Sequence, residues 1–198
     1  GDDLWIVVTA DHGESFGEHG VWYRRELYDP SLRVPLVIAP PPGEPRGVRV
    51  AAQVRLCDVA RTLLEALGAE SAVGGQGVSL LALVRGADAA APGPAISAIL
   101  NSRADPYQRS LLAIRDGGSK AIWRTPGWVN SDALWAGESR ELYDLARDPG
   151  ELRDLAAEQP EAWQRLRDLA SGLQLELRST ESLNPEDLEA LRSLGYTP

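Results

Sequence analysis

The stretch Leu4-Trp5-Ile6-Val7-Val8-Thr9-Ala10-Asp11-His12-Gly13-Glu14-Ser15-Phe16-Gly17-Glu18-His19-Gly20 decides the fold. Its first half is a short, unbroken apolar run rich in branched side chains, which reads as a strand buried on both faces of a parallel sheet. The run stops at Asp11-His12-Gly13, and three glycines keep the backbone loose as far as Gly20. In open parallel sheets, ligands bind beyond the carboxyl ends of the strands. A carboxylate beside an imidazole at such a strand end suits a divalent metal. The alternative is that Asp11 caps a turn and His12 packs.

Working outward, residues 24–31 read as a short helix or turn, and residues 34–39 as a second buried strand closed by Pro40-Pro41-Pro42-Gly43. Residues 43–47 form a surface loop, and residues 48–56 are ambiguous, with a short strand as one reading. Asp58 has the chemistry of a helix N-cap. Ala60, Leu63, Leu64 and Leu67 follow at helical spacing, and Gly68 is a natural stop. This predicts an amphipathic helix with one face on the sheet. Cys57 reads as a small buried apolar residue. Residues 74–77 are a glycine-rich connector without a P-loop lysine, and residues 79–84 a short helix. The Ala-, Pro- and Gly-rich segment 87–94 marks a subdomain boundary.

Beyond that boundary the pattern shifts to short strands at 95–100, 110–115 and 119–124, with another at 141–145. Asp116-Gly117-Gly118 between apolar runs signals a hairpin. Trp123, Trp128 and Trp135 suggest a small hydrophobic core, with an aromatic platform for substrate as the other reading. Asp148-Pro149-Gly150-Glu151 has the form of a capping box with proline at the first helical position. A longer helix starts near Pro160, with Trp163, Leu166, Leu169, Ala170 and Leu173 along one stripe. Asn184-Pro185 opens a last helix.

The strings TADHGESFGEHG and VWYRRELYDPSLRVPLVI resemble the sulfatase family of the alkaline phosphatase superfamily. The resemblance continues, in the family's order, through DVARTLLEALGA, GQGVSLLALVRG and ELYDLARDPGELRDLA. It implies an α/β fold: residues 1–90 as the C-terminal part of an alkaline-phosphatase-like sandwich, a mostly parallel sheet flanked by helices. Residues 91–198 would be a small α+β subdomain of antiparallel strands and covering helices. It also implies that Asp11 and His12 ligate one divalent metal ion. An Asn in place of His12 is common in the family and favours calcium, whereas His admits manganese or zinc. Arg24 stands where the family places a lysine that contacts the sulfate, and Arg25 takes that role if the loop is shifted by one residue. His19 is the candidate for touching substrate or protonating the leaving group, since imidazole titrates near neutrality; packing is the other reading. Glu14 is expected to orient the loop, and Arg33 to be a buried, paired structural arginine.

The family's nucleophile is a cysteine in a Cys-x-Pro/Ala-x-Arg context, converted to formylglycine, and two further Asp ligands come from an early strand. Cys57 lacks that context. The sequence is therefore expected to be the C-terminal part of a hydrolase of sulfate esters, glycan or small-molecule, whose nucleophile lies in an N-terminal half. A phosphonate or phosphate ester hydrolase or phospho-transferase of the same superfamily, and a non-catalytic sulfatase-like scaffold, are the rival readings.

Composition narrows the partners. Of 198 residues, 20 are basic and 29 acidic, a net charge of -9 that argues against nucleic acid. No stretch approaches the length of a membrane span. One cysteine allows no internal disulfide and leaves the compartment open; family members are often periplasmic or secreted.

Overall fold

The computed structural model describes residues 4–23, 26–69, 77–99, 109–126 and 139–172. The predicted helix after Asn184, together with Trp128, Trp135, Leu173, Arg24 and Arg25, lies outside them. The described residues form a mixed α/β chain of helices and antiparallel sheets. Its strands are β1 (Ile6–Thr9), β2 (Ser15–Phe16), β3 (Trp22–Tyr23), β4 (Leu36–Ala39), β5 (Ala95–Ile99), β6 (Arg109–Asp116), β7 (Ser119–Pro126) and β8 (Ser139–Asp144). Its helices are α1 (Asp29–Leu32), α2 (Leu56–Ala66), α3 (Leu81–Val84) and α4 (Pro160–Gly172).

The largest sheet runs β5-β6-β7-β8, antiparallel throughout. The hairpin expected at Asp116-Gly117-Gly118 is present: Asp116 pairs with Ser119 around a two-residue turn. Side chains alternate between the faces of a strand, and here the alternation divides the sheet into two distinct chemistries. On one face Leu112, Ile114, Ala121, Trp123 and Leu142 pack against Trp163, Leu166 and Ala170 of α4. Trp123 is 1% exposed, as a core tryptophan should be. The other face carries Leu111, Ala113, Ile122 and Tyr143, and is covered by Leu27 and Tyr28. In the same alternation, the β7 positions of Ile122's face are occupied by Lys120 and Arg124, which pair in register with Arg115 of β6 and Tyr143 of β8 and with Leu111 of β6 and Ser139 of β8.

Several expectations are corrected. Every described pairing is antiparallel, including β1 with β4, where a mostly parallel sheet was expected. An unbroken apolar run encodes burial, not strand direction. Within this chain β1 is not buried on both faces: Ile6 and Val8 are 51% and 58% exposed. Residues 48–55 form no strand, and α2 starts at Leu56. Arg33 and Cys57 are exposed, not buried.

Asp58 is the third residue of α2's first turn, not its N-cap. Its carboxylate accepts the Arg55 N–H at 2.8 Å and the Arg55 guanidinium Nη2 at 2.8 Å. It also accepts the Val78 N–H at 2.9 Å. Burial opposes its ionised form, yet these hydrogen bonds prevail and hold the carboxyl below the usual range. Thr62 donates to the Asp58 carbonyl at 2.7 Å and accepts the Leu80 N–H at 2.8 Å. Asp58 and Thr62 are therefore the buried face of α2, stapling the 77–80 connector, while the predicted apolar stripe is half-buried to exposed. Gly77 permits that close approach: a Cβ there would lie 2.1 Å from the Cys57 carbonyl oxygen.

The motif Asp148-Pro149-Gly150-Glu151 opens no helix. Glu151 has φ 54° and a buried carboxylate, and Asp148 accepts the Arg153 N–H at 2.8 Å in a turn. Helix α4 begins at Pro160, as its stripe predicts. No helix among the described residues is long and apolar enough to cross a membrane.

Candidate functional site

The chain leaves β1 at Thr9 and places Asp11 and His12 just beyond the strand end. The Asp11 side chain is 78% exposed and that of His12 34%. The His12 N–H donates to Asp11 Oδ1 at 3.0 Å, the ring Nδ1 lies 2.7 Å from the Gly13 carbonyl, and Nε2 lies 3.7 Å from Asp11 Oδ2. A carbonyl oxygen can only accept, so Nδ1 is the donor in this contact, and in the neutral ring that leaves the lone pair on Nε2. That tautomer, fixed by a backbone carbonyl, is the one used by metal-binding histidines. The 3.7 Å spacing is close to the ~3.4 Å edge of a tetrahedron of ~2.1 Å bonds. A buried oxygen of Glu14, Oε1, has no hydrogen-bond partner among the described residues. The two residues thus fit a divalent cation as part of a ligand set. No group of three or more His, Cys, Asp or Glu among the described residues converges to complete one.

The loop that follows is held by α1. The Gly13 N–H donates to the Ser31 carbonyl at 2.8 Å, and the Ser15 and Ser31 hydroxyls lie 3.2 Å apart. Only glycine fits at position 13, since a Cβ would sit 2.0 Å from the Pro30 carbonyl oxygen. Next comes the ribbon of β2 and β3, which exposes Phe16 opposite Trp22. Its tip is a single 3-10 turn, Glu18–Gly20, where Glu18 accepts the Phe16 N–H at 2.6 Å. Backbone hydrogen bonds from its own N–H and from Phe16 draw the Glu18 carboxyl below its ordinary value. His19, at φ 54°, lays its ring on Tyr28 with centroids 3.7 Å apart and planes 10° from parallel. The structure therefore brings Asp11 and His12 together and sets His19 on Tyr28.

Beneath Tyr28 lies a buried polar layer that the sequence reading did not single out. Arg124 donates to Glu26 at 3.1 Å, to the Tyr28 hydroxyl at 2.9 Å, and to Glu141. Tyr28 and Tyr143 donate to Glu141 at 3.0 and 2.8 Å. Burial opposes the Arg124 charge, but Glu141 and Glu26 outweigh it and raise its pKa. Burial raises both tyrosines, reinforced by Glu141. Beside this layer, Lys120 bridges Asp29 at 2.9 Å and Glu151 at 2.6 Å. The signal in the sequence was the placement of Lys120 and Arg124 two residues either side of apolar Ile122, on a face that is not solvated.

Comparison with known proteins follows the same lines. The family profile described as "N-sulphoglucosamine sulphohydrolase, C-terminal" matches residues 17–92. A choline-sulfatase of Rhizobium meliloti (strain 1021) is 32% identical over 158 residues, covering 78% of this chain and 27% of that protein. Arylsulfatase K of Xenopus laevis is 28% identical over 167 residues, 82% of this chain and 30% of that one. A solved structure in complex with its substrate D-glucosamine-2-N,6-O-disulfate superposes with a TM-score of 0.71 at 27% identity, covering 86% of this chain and 34% of that one. A 2-O GAG sulfatase superposes with a TM-score of 0.68 at 23% identity, over 85% of this chain and 35% of that one, and shares the fold. The chain spans about a third or less of the length of these proteins.

Proposed function

We propose, from the premise that this chain belongs to the sulfatase family as a C-terminal portion of such a hydrolase, that it supplies part of a metal site for hydrolysing sulfate esters of a glycan. The observation that carries this reading is the Asp11–His12 pair, with Nδ1 of His12 committed to the Gly13 carbonyl and Nε2 beside a carboxylate oxygen. A divalent cation bound there would polarise the ester and stabilise charge on its leaving oxygen. Calcium, manganese and zinc all accept this donor pair. Arg24 contacts the anionic head group, for which a guanidinium offers two parallel donors. His19 is the loop's proton donor for the leaving oxygen, its ring plane set by Tyr28. The nucleophile and the remaining ligands come from a part of the protein outside this chain.

A glycan substrate is supported by the sulfated glucosamine bound to the 27%-identical neighbour. In this reading residues 1–90 belong to an alkaline-phosphatase-like sandwich and residues 91–198 to a small C-terminal subdomain. The exposed Leu4, Ile6, Val8 and Val37 form the surface on which the rest of that sandwich seats. They continue into a groove of about 1030 Å³ lined by Ile38, Pro41, Val48, Val50, Leu80 and Val84.

The test is turnover by the full-length protein on matched aryl sulfate and aryl phosphate esters, with and without chelator. Chelator-sensitive release of sulfate in excess of phosphate is expected. Preference for phosphate, or activity that survives complete metal removal, refutes the reading.

A further inference from the structure

We propose that the cluster of buried Lys120 and Glu151 with half-buried Asp29 is a positioning device that sets the Asp11–His12 pair through helix α1; the inference rests on the metal reading above. Lys120 and Glu151 are 1% and 2% exposed. Burying such charges is costly, and apolar residues of similar size serve stability equally well or better. What charges add is direction, and the contacts here are directional. Glu151 Oε2 accepts the N–H of Asp29 at 2.7 Å, the first donor of α1, which no intrahelical carbonyl can satisfy. Lys120 donates to Asp29 Oδ1 at 2.9 Å and Arg115 to Asp29 Oδ2 at 3.0 Å, while Lys120 and Glu151 Oε1 form an ion pair at 2.6 Å without hydrogen-bond geometry. Both the backbone and the side chain of Asp29 are therefore fixed to the C-terminal sheet and its following turn. Glu151 is presented by a left-handed backbone, φ 54°, a strained conformation for a residue with a side chain that its surroundings hold in place.

From Asp29 the path to the site is short and stiff. Helix α1 is a single turn, closed by the Arg33 N–H on the Asp29 carbonyl at 2.8 Å. Its Ser31 carbonyl takes the Gly13 N–H, its Ser31 hydroxyl meets Ser15, and its Pro30 carbonyl presses on Gly13 with no room for a methyl group. Gly13 in turn offers its carbonyl to His12 Nδ1. A shift of α1 has no slack to absorb it before the imidazole. Glu151 and Lys120 are positioning residues, touching neither metal nor substrate.

The experiment measures the dissociation constant of Mn²⁺ for the metal-stripped full-length protein and its variants, beside their melting temperatures. Glu151→Ala removes the acceptor for Asp29 and should weaken Mn²⁺ binding about 10- to 100-fold, the range for groups behind a metal ligand. Glu151→Gln keeps an oxygen for the Asp29 N–H and should recover most of that loss. Glu151→Asp, which retracts the carboxylate by one methylene, covers the case in which the alanine variant does not fold, and should lie between. A folded Glu151→Ala or Glu151→Asp protein with wild-type affinity overturns the inference, as does equal loss in Glu151→Gln and Glu151→Ala. Asp11→Ala is run in parallel. Its retention of wild-type affinity takes down the metal reading itself, whereas loss there beside unchanged Glu151 variants takes down only the positioning.

Discussion

Lys120→Met is the sharpest perturbation of the buried layer, because it deletes a charge while keeping most of the length of the side chain. Lys120 is 1% exposed and lies within 2.9 Å of Asp29 and 2.6 Å of Glu151. Methionine replaces most of the apolar stem, so little of the loss is cavity. Two carboxylates remain, Glu151 buried and Asp29 half-buried, with Arg115 as a cation still touching Asp29. Breaking a buried pair from one side costs about 3–5 kcal/mol. In a cooperative unit near 200 residues that corresponds to a fall in melting temperature of roughly 6–20 °C. The triple variant Lys120→Met, Asp29→Asn, Glu151→Gln should recover much of the loss, since no stranded carboxylate remains. The assay is calorimetric or circular-dichroism melting of each variant. A single-variant loss below about 1 kcal/mol, the scale of an exposed pair, would refute the reasoning, as would a triple variant no more stable than the single.

Other outcomes are equally definite. Gly13→Ala should lower metal affinity and stability together, because its Cβ would lie 2.0 Å from the Pro30 carbonyl oxygen; unchanged metal affinity contradicts the loop geometry. Thr62→Val should cost about 1–3 kcal/mol in denaturant unfolding, because it strands the Leu80 N–H that the hydroxyl now accepts at 2.8 Å. Asp58 has a depressed folded-state pKa, so its contribution is present above the unfolded carboxyl value near about 4 and lost as pH falls through the folded one. Asp58→Asn should therefore flatten the acid limb of the stability profile, and an unaltered limb counts against that role. Arg24→Ala should cut catalytic efficiency roughly 10- to 150-fold at a nearly unchanged melting temperature, the value of one charged hydrogen bond. A large kinetic defect in Arg25→Ala instead shifts the assignment by one residue.

The hairpin of β6 and β7 was legible because its signals are local: alternation on both sides of Gly117-Gly118 and nothing else competing. Helix α4 was legible because Trp163, Leu166 and Ala170 repeat with the helical period and do face the core. The placement of Asp11 and His12 just beyond β1 was legible because they directly follow a clear apolar run. Glu151 was not. Its four-residue motif matches a capping box, yet its carboxylate serves an N–H 122 positions upstream, a pairing that no local pattern encodes. The same holds for Lys120 and Arg124, whose partners Asp29 and Glu26 lie 91 and 98 positions away. The direction of β1 was misread for a related reason, since hydrophobicity reports what a strand is buried by and says nothing of which strand lies beside it.

The central claim is that Asp11 and His12 hold a divalent cation, and its most direct test is the metal content of the purified full-length protein and its His12→Ala variant. The account predicts about one bound metal in the wild type and a content reduced severalfold in the variant, with the melting temperature falling only as far as loss of bound metal requires. Full wild-type occupancy in His12→Ala would contradict it and leave the imidazole as a packing residue of the loop.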